Sequence, residues 1–162
     1  MKKHLFIVTL VLTLILISCS KKLDYRDDIS CEDLINSLLS VEISSKEYEE
    51  YDDEYFEFFF EDARMPSDLK IIYSTEVNDI DELGIFRAES SDEAEKLVEA
   101  SEKYIEDMKK DQRAFISSYA SPELPKLDRA EVKRFGNYVI YAIMSEDDKT
   151  SIFFKADEIL KK

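Results

Sequence analysis

Tryptophan is absent from the 162 residues, histidine occurs once, cysteine and glycine twice each, and proline three times. The one histidine, His4, lies at the front of a stretch that reads as a removable leader, so the remaining chain has no imidazole at all. That excludes Ser-His-Asp and Cys-His nucleophilic catalysis, His-ligated zinc and the usual near-neutral proton shuttle. The two cysteines, Cys19 and Cys31, are too far apart in sequence for a CxxC redox or metal motif. Without tryptophan, a sugar-stacking platform would have to be built from tyrosine. Gly84 and Gly136 are the only glycines, and with so little glycine and proline a second linker is not available, so one domain is expected. Basic side chains are few, 22 against 37 acids for a formal charge of -15, and no basic arm is visible. Nucleic acid is therefore not an expected partner. With 44% hydrophobic residues the chain can nonetheless build a core.

Lys2 and Lys3 precede an apolar run from Leu5 to Ile17, interrupted only by Thr9 and Thr13. This is the layout of a secretory signal, and the run is shorter than the ~20 residues a membrane-spanning helix needs. It ends in Leu16-Ile17-Ser18-Cys19, which resembles the lipobox of bacterial lipoproteins. The resemblance implies a diacylglyceryl thioether on Cys19 and cleavage before it, with residues 1–18 as signal peptide. Two acyl chains, at about 0.8 kcal/mol per buried CH₂, hold a protein on a membrane where one would not. Cys19 would then be spent as an anchor, leaving Cys31 without an intrachain partner and most simply a small buried apolar residue. The expected location is the cell membrane, lipid-anchored and facing away from the cytoplasm.

Residues 19–29 are polar and charged and read as a tether, with residues 30–162 forming the domain. Ser30 with Asp33 three residues on marks a helix start, and Leu34, Ile35, Leu38 and Leu39 supply one apolar face to about Ser40. From Glu42 to Asp62 the chain carries ten acids, one base (Lys46) and seven aromatics. The plain reading is a half-buried segment with aromatics packed and acids wet. The sharper one is an acidic-aromatic surface for a basic partner. Ile71-Ile72-Tyr73 and Leu83 to Phe86 read as two adjacent strands. Ser90 with Glu93 caps a long helix whose stripe runs Ala94, Leu97, Val98, Ser101, Tyr104, Ile105, Met108, Phe115 and Tyr119, ended by Pro122 and Pro125. Ala130–Phe135 and Tyr138–Met144 flank the turn Gly136-Asn137 as a hairpin whose second strand is apolar on both faces and hence interior. Residues 152–160 suggest a final amphipathic helix, with a last strand at Ile152-Phe153-Phe154 as the alternative. The fold class is α+β, a small antiparallel sheet of about four strands packed on one long helix, with short N- and C-terminal helices.

Few patterns carry chemistry. Asp79-Ile80-Asp81-Glu82-Leu83-Gly84 begins like an EF-hand loop but has Leu83 and Ser90 where ligands belong, so no metal site is assigned. Ser67-Asp68-Leu69-Lys70 fits the short S-x-x-K of penicillin-binding enzymes, with Lys149-Thr150-Ser151 a faint K-T-G, in a chain too short for that fold. No cofactor and no catalytic residue is assigned.

Glu82 to Phe86, the helix end at Phe115 and Tyr119-Ala120-Ser121-Pro122, and Gly136-Asn137-Tyr138-Val139 together resemble a family of uncharacterised lipoproteins of clostridia and related Gram-positive bacteria, known only as a domain of unknown function. The resemblance covers roughly residues 69–145 and leaves Glu42–Asp62 outside it. It implies a surface lipoprotein without an assigned activity. The expectation is a non-enzymatic binding module at the cell envelope, meeting a basic protein or a cell-wall component. The alternative is a carboxylate-based hydrolase of wall glycans, which needs two acids about 5–10 Å apart across a cleft.

Overall fold

The computed structural model describes residues 24–40 and 46–162; the leader, Cys19 and residues 41–45 lie outside them. Two strands, one buried along its whole length and the other at all but its last residue, dictate the architecture. Strand β3 (Glu82–Arg87) and strand β5 (Tyr138–Ile143) lie side by side inside an antiparallel sheet of order β1-β2-β3-β5-β4, where β1 is Tyr48–Glu50, β2 Asp68–Ser74 and β4 Glu131–Phe135. A strand apolar on both faces needs cover on both, and the helices provide it. Helices α1 (Cys31–Leu39) and α6 (Glu146–Leu160) pack Leu34, Ile35, Leu38, Ile152, Phe153 and Leu160 against Leu83, Ile85, Tyr138 and Ile140. On the opposite face, α2 (Asp53–Phe59) and α3 (Ser91–Asp111) pack Phe56, Leu97, Tyr104 and Ile105 against Ile71, Phe86, Val139 and Tyr141. Full burial of each such side chain is worth about 1.5–3 kcal/mol, so both layers are needed to hold the sheet.

The helix starts follow local chemistry. Ser30 accepts from Asp33 N and Ser90 from Glu93 N, while the Glu93 carboxylate accepts from Glu89 N. Ser145 accepts from Asp148 N, so the last helix begins at Glu146, a turn and a half before the apolar residues that marked it in sequence. Gly136 takes φ +64° at the β4–β5 turn, where a side chain would also meet Tyr25.

Two expectations are corrected. The sheet has five strands rather than about four, because Tyr48–Glu50 pairs with Ser74–Ile72. Helices cover both faces of the sheet. The long helix also stops at Asp111: Gln112 turns the chain, and α4 (Arg113–Tyr119) buries Ile116 while leaving Phe115 and Tyr119 exposed. After a short 3-10 turn (Ser121–Glu123) comes α5 (Leu124–Asp128). Residues 24–29 lie on the domain, where Arg26 N donates to Leu160 O at 2.8 Å and the Tyr25 hydroxyl to Asp157 at 2.8 Å. No helix among the described residues is long and apolar enough to cross a membrane.

Candidate functional site

Period-two alternation along β3 turns Leu83 and Ile85 toward α1 and α6 and Glu82, Gly84 and Phe86 toward α2 and α3. A glutamate thereby enters the core. Its carboxyl is met by three tyrosines from three elements: Tyr141 donates to Oε1 at 2.6 Å, Tyr104 donates to Oε1 at 2.9 Å, and the Tyr55 hydroxyl lies 3.5 Å from Oε2. The Tyr55 and Tyr104 hydroxyls are 2.5 Å apart. Because the Tyr104 proton is committed to Oε1, Tyr55 must supply the proton between the two phenols. Oε2 is then left with a contact too long for a good hydrogen bond. A proton on Oε2 would face the Tyr55 hydroxyl across the same 3.5 Å. Burial without a counter-charge favours the neutral acid. Desolvation, only partly offset by hydrogen bonds from Tyr141, Tyr104 and Tyr55, pushes the Glu82 carboxyl up from 4.5 to about 7. Burial and the neighbouring Glu82 charge also hold Tyr55, Tyr104 and Tyr141 far above the ordinary phenol range, so they act as neutral donors. No lysine or arginine among the described residues makes a salt bridge to Glu82.

Gly84 has a definite reason. It faces Tyr141 across the β3–β5 ladder, and a Cβ there would come within 2.0 Å of the tyrosine ring. The glycine is the space through which Tyr141 reaches Glu82.

Tyr104 also forms the floor of an open hollow of about 180 Å³ between the end of α2 and the last turns of α3. Phe58, Phe59 and Met108 supply its apolar walls, and Glu61, Asp107 and Asp111 its acids, beside Lys103. Phe58 is 75% exposed and Phe59 42%, an unusual position for phenylalanine. They are held by ring contacts: Phe58 meets Phe59 edge-on at 4.8 Å, Phe59 meets Tyr55 at a tilt at 4.5 Å, and Tyr55 stacks on Tyr51 at 3.7 Å. The Glu42–Asp62 segment is therefore divided, as far as it is described. Phe56 and Phe60 are core, whereas Phe58 and Phe59 face outward among acids.

A second polar cluster joins the β2–β3 turn to α5. Lys46 pairs with Asp79 at 2.6 Å and Asp81 at 2.5 Å, and Lys126 with Asp79 and Asp81 at 2.6 Å each and with Glu123 at 2.5 Å. The two lysines, which lead its partners, hold the Asp79 carboxyl far below the usual carboxylate range against the opposing cost of burial. Asp79, Asp81 and Glu123 bring carboxylate oxygens within 4.8 Å of one another, but the two ammonium groups already fill the space between them. The acids that looked like the start of a calcium loop thus belong to a buried ion network.

The remaining candidates are dispersed. Ser67 Oγ donates to Arg87 O, Lys70 pairs with Glu50, and buried Lys149 donates to Arg129 O. Cys31 is fully buried, donates its thiol to Asp68 O, and is pushed up by desolvation, which makes it an inert packing residue.

Residues 41–144 match a domain of unknown function, DUF4358. The chain belongs to the DUF4358 family. No curated protein and no solved structure matches it. The DUF4358 match begins well before the span legible from sequence motifs and takes in the acidic-aromatic segment, the hollow, Glu82 and its three tyrosines. Helices α1 and α6, which cover the other face of the sheet, fall outside the matched residues.

Proposed function

We propose that this DUF4358 protein is a lipid-anchored, extracytoplasmic, non-enzymatic binding domain that docks a basic protein segment on the hollow between α2 and α3. The carrying observation is the pair of exposed phenylalanines, Phe58 and Phe59, set among Glu61, Asp107 and Asp111. Aromatic faces and carboxylates together suit a lysine or arginine side chain, which packs its stem on the rings and brings its charge to the acids. Size supports a single anchoring side chain: 180 Å³ falls below the ~300–1,000 Å³ of small-molecule pockets. A glycan hydrolase would need a cleft wide enough for a sugar ring between two acids, and this hollow is too small for one. Glu82 has the raised pKa of a general acid, but Tyr55, Tyr104 and Tyr141 close it off from substrate. The lipobox ending at Cys19 supports the anchor, which would place the acidic domain outside the membrane's anionic surface.

The test is titration of a fluorescent lysine- and arginine-containing peptide against the wild-type protein and against Glu61→Gln/Asp107→Asn/Asp111→Asn. Saturable binding that weakens at least tenfold in the triple variant, and in Phe58→Ala, is expected. Binding that ignores both variants would mean only diffuse attraction to an acidic protein and would overturn the reading.

A further inference from the structure

Buried carboxylates are normally paired with a cation, and among the described residues none pairs with Glu82. Among the described residues, the titratable groups recorded around it are phenols: Tyr55 on α2, Tyr104 on α3, Tyr141 on β5, Tyr51 just before α2, and Tyr73 opposite it on β2. The nearby charged groups line the hollow, Lys103 beside Asp62 and Asp107, together with Glu61 and Asp111. One side chain belongs to both places: Tyr104 is the floor of the hollow at its ring and a donor to Glu82 Oε1 at its hydroxyl. Tyr55 makes a second connection, since it packs on Phe59 of the hollow wall and its hydroxyl bonds Tyr104.

We propose that the hollow and Glu82 form one proton-linked cation site, in which the ammonium or guanidinium group of a docked basic segment, seated over Tyr104, supplies the counter-charge that buried Glu82 otherwise does without. Seating the cation draws the proton from Glu82 Oε2 and releases it to solvent. The carboxylate then keeps the Tyr104 and Tyr141 hydrogen bonds on Oε1, the Tyr55 proton stays between the two phenols, and Oε2 is balanced by the charge of the seated cation. By thermodynamic reciprocity, an already ionised Glu82 strengthens capture of the cation. At a separation of roughly 10 Å and an effective dielectric of about 20, one added charge strengthens binding about tenfold, less at high salt. The occupant is a basic protein segment; a free polyamine or a metal cation would be a competing source of the same charge.

This inference rests on the reading of the hollow as the docking place for a basic segment. Its test is the affinity of the wild-type protein and of Glu82→Gln for a lysine- and arginine-containing peptide between pH 5.5 and 8.5, with spermidine and Ca²⁺ as separate competitors. Glutamine keeps the shape of the neutral acid but cannot ionise. Wild-type affinity is expected to rise about tenfold through pH 7 while that of Glu82→Gln stays flat, and ¹³C NMR should show the Glu82 carboxyl titrating lower with peptide bound. Tyr104→Phe, which keeps the ring and removes the donor, should move the wild-type inflection to higher pH, and this variant serves if Glu82→Gln does not fold. Peptide binding with the same pH profile in wild type and Glu82→Gln, or an unmoved inflection in Tyr104→Phe, would overturn the linkage while leaving the docking site standing. Absence of peptide binding at every pH would remove both. Displacement of the peptide by micromolar spermidine or Ca²⁺ would reassign the site to a small cation.

Discussion

Glu82→Gln should stabilise the domain at alkaline pH and leave it nearly unchanged in mild acid. In the folded protein the carboxyl holds its proton up to about pH 7, against 4.5 when exposed. Between those values the native state binds more protons than the unfolded chain, so stability falls as pH rises through the window and is flat above it. A raised folded-state pKa is thus a contribution fully present below pH 4.5 and lost by about pH 7. At about 1.36 kcal/mol per unit, the 2.5-unit interval amounts to roughly 3 kcal/mol. Glutamine reproduces the neutral acid: its carbonyl can accept from Tyr104 and Tyr141, and its amide can donate to Tyr55. Urea unfolding of wild type and variant at pH 5 and 8.5 measures the difference directly. The variant should be more stable by about 3 kcal/mol at pH 8.5, or roughly 6–12 °C in Tm, and within about 1 kcal/mol of wild type at pH 5. Asp79, whose folded-state pKa is depressed, loses its contribution only as pH falls below the ordinary carboxylate range, outside this window. A stability difference identical at the two pH values would refute the reasoning, because Glu82 would then ionise alike in folded and unfolded states.

Other consequences follow from single contacts. Lys126→Met strips one of two ammonium groups from three gathered carboxylates, and equilibrium unfolding at pH 7 should register a loss of about 3 kcal/mol; a loss under 1 kcal/mol would mean that the network is solvated. Gly84→Ala should cost at least about 2–3 kcal/mol and, by NMR, displace the Tyr141 ring from Glu82, whereas an unmoved ring would show that β3 gives way instead. Palmitate labelling in the bacterial host should mark the wild-type protein, with intact mass giving a chain that starts at Cys19, and should be lost in Cys19→Ala; an unlabelled wild-type protein would remove the anchor.

Much of the fold is legible because local rules agree with it. Ser30 and Ser90 announce their helices, Gly136-Asn137 its hairpin, and the two-sided apolar strand Tyr138 to Ile143 its place inside the sheet. The same strand also implies helices on both faces, a step its neighbours' patterns did not force. Ser145 with Asp148 is a start signal of the same kind as Ser30 with Asp33, overshadowed by the apolar run that begins at Ile152. The stripe through Phe115 and Tyr119 misleads because a small change of direction at Gln112 rotates the next turn, and periodicity assumes a straight helix. The site is less legible than the frame. That Glu82 enters the core follows from alternation once β3 is placed. That Tyr55, Tyr104 and Tyr141 meet it depends on register and on helix packing across 86 positions of chain, which no local pattern records. Composition marks Glu42–Asp62 as unusual, but which phenylalanines turn inward is decided only by α2 seating on Phe86.

The central claim is that the hollow of α2 and α3 receives a basic segment. A photo-crosslinking amino acid at Phe58, in the protein expressed with its leader on intact cells, tests it most directly. The account predicts a discrete crosslink to a protein through a lysine- or arginine-rich peptide, lost when Glu61, Asp107 and Asp111 are neutralised. Absence of that crosslink, or one that survives the neutralised rim unchanged, would contradict it.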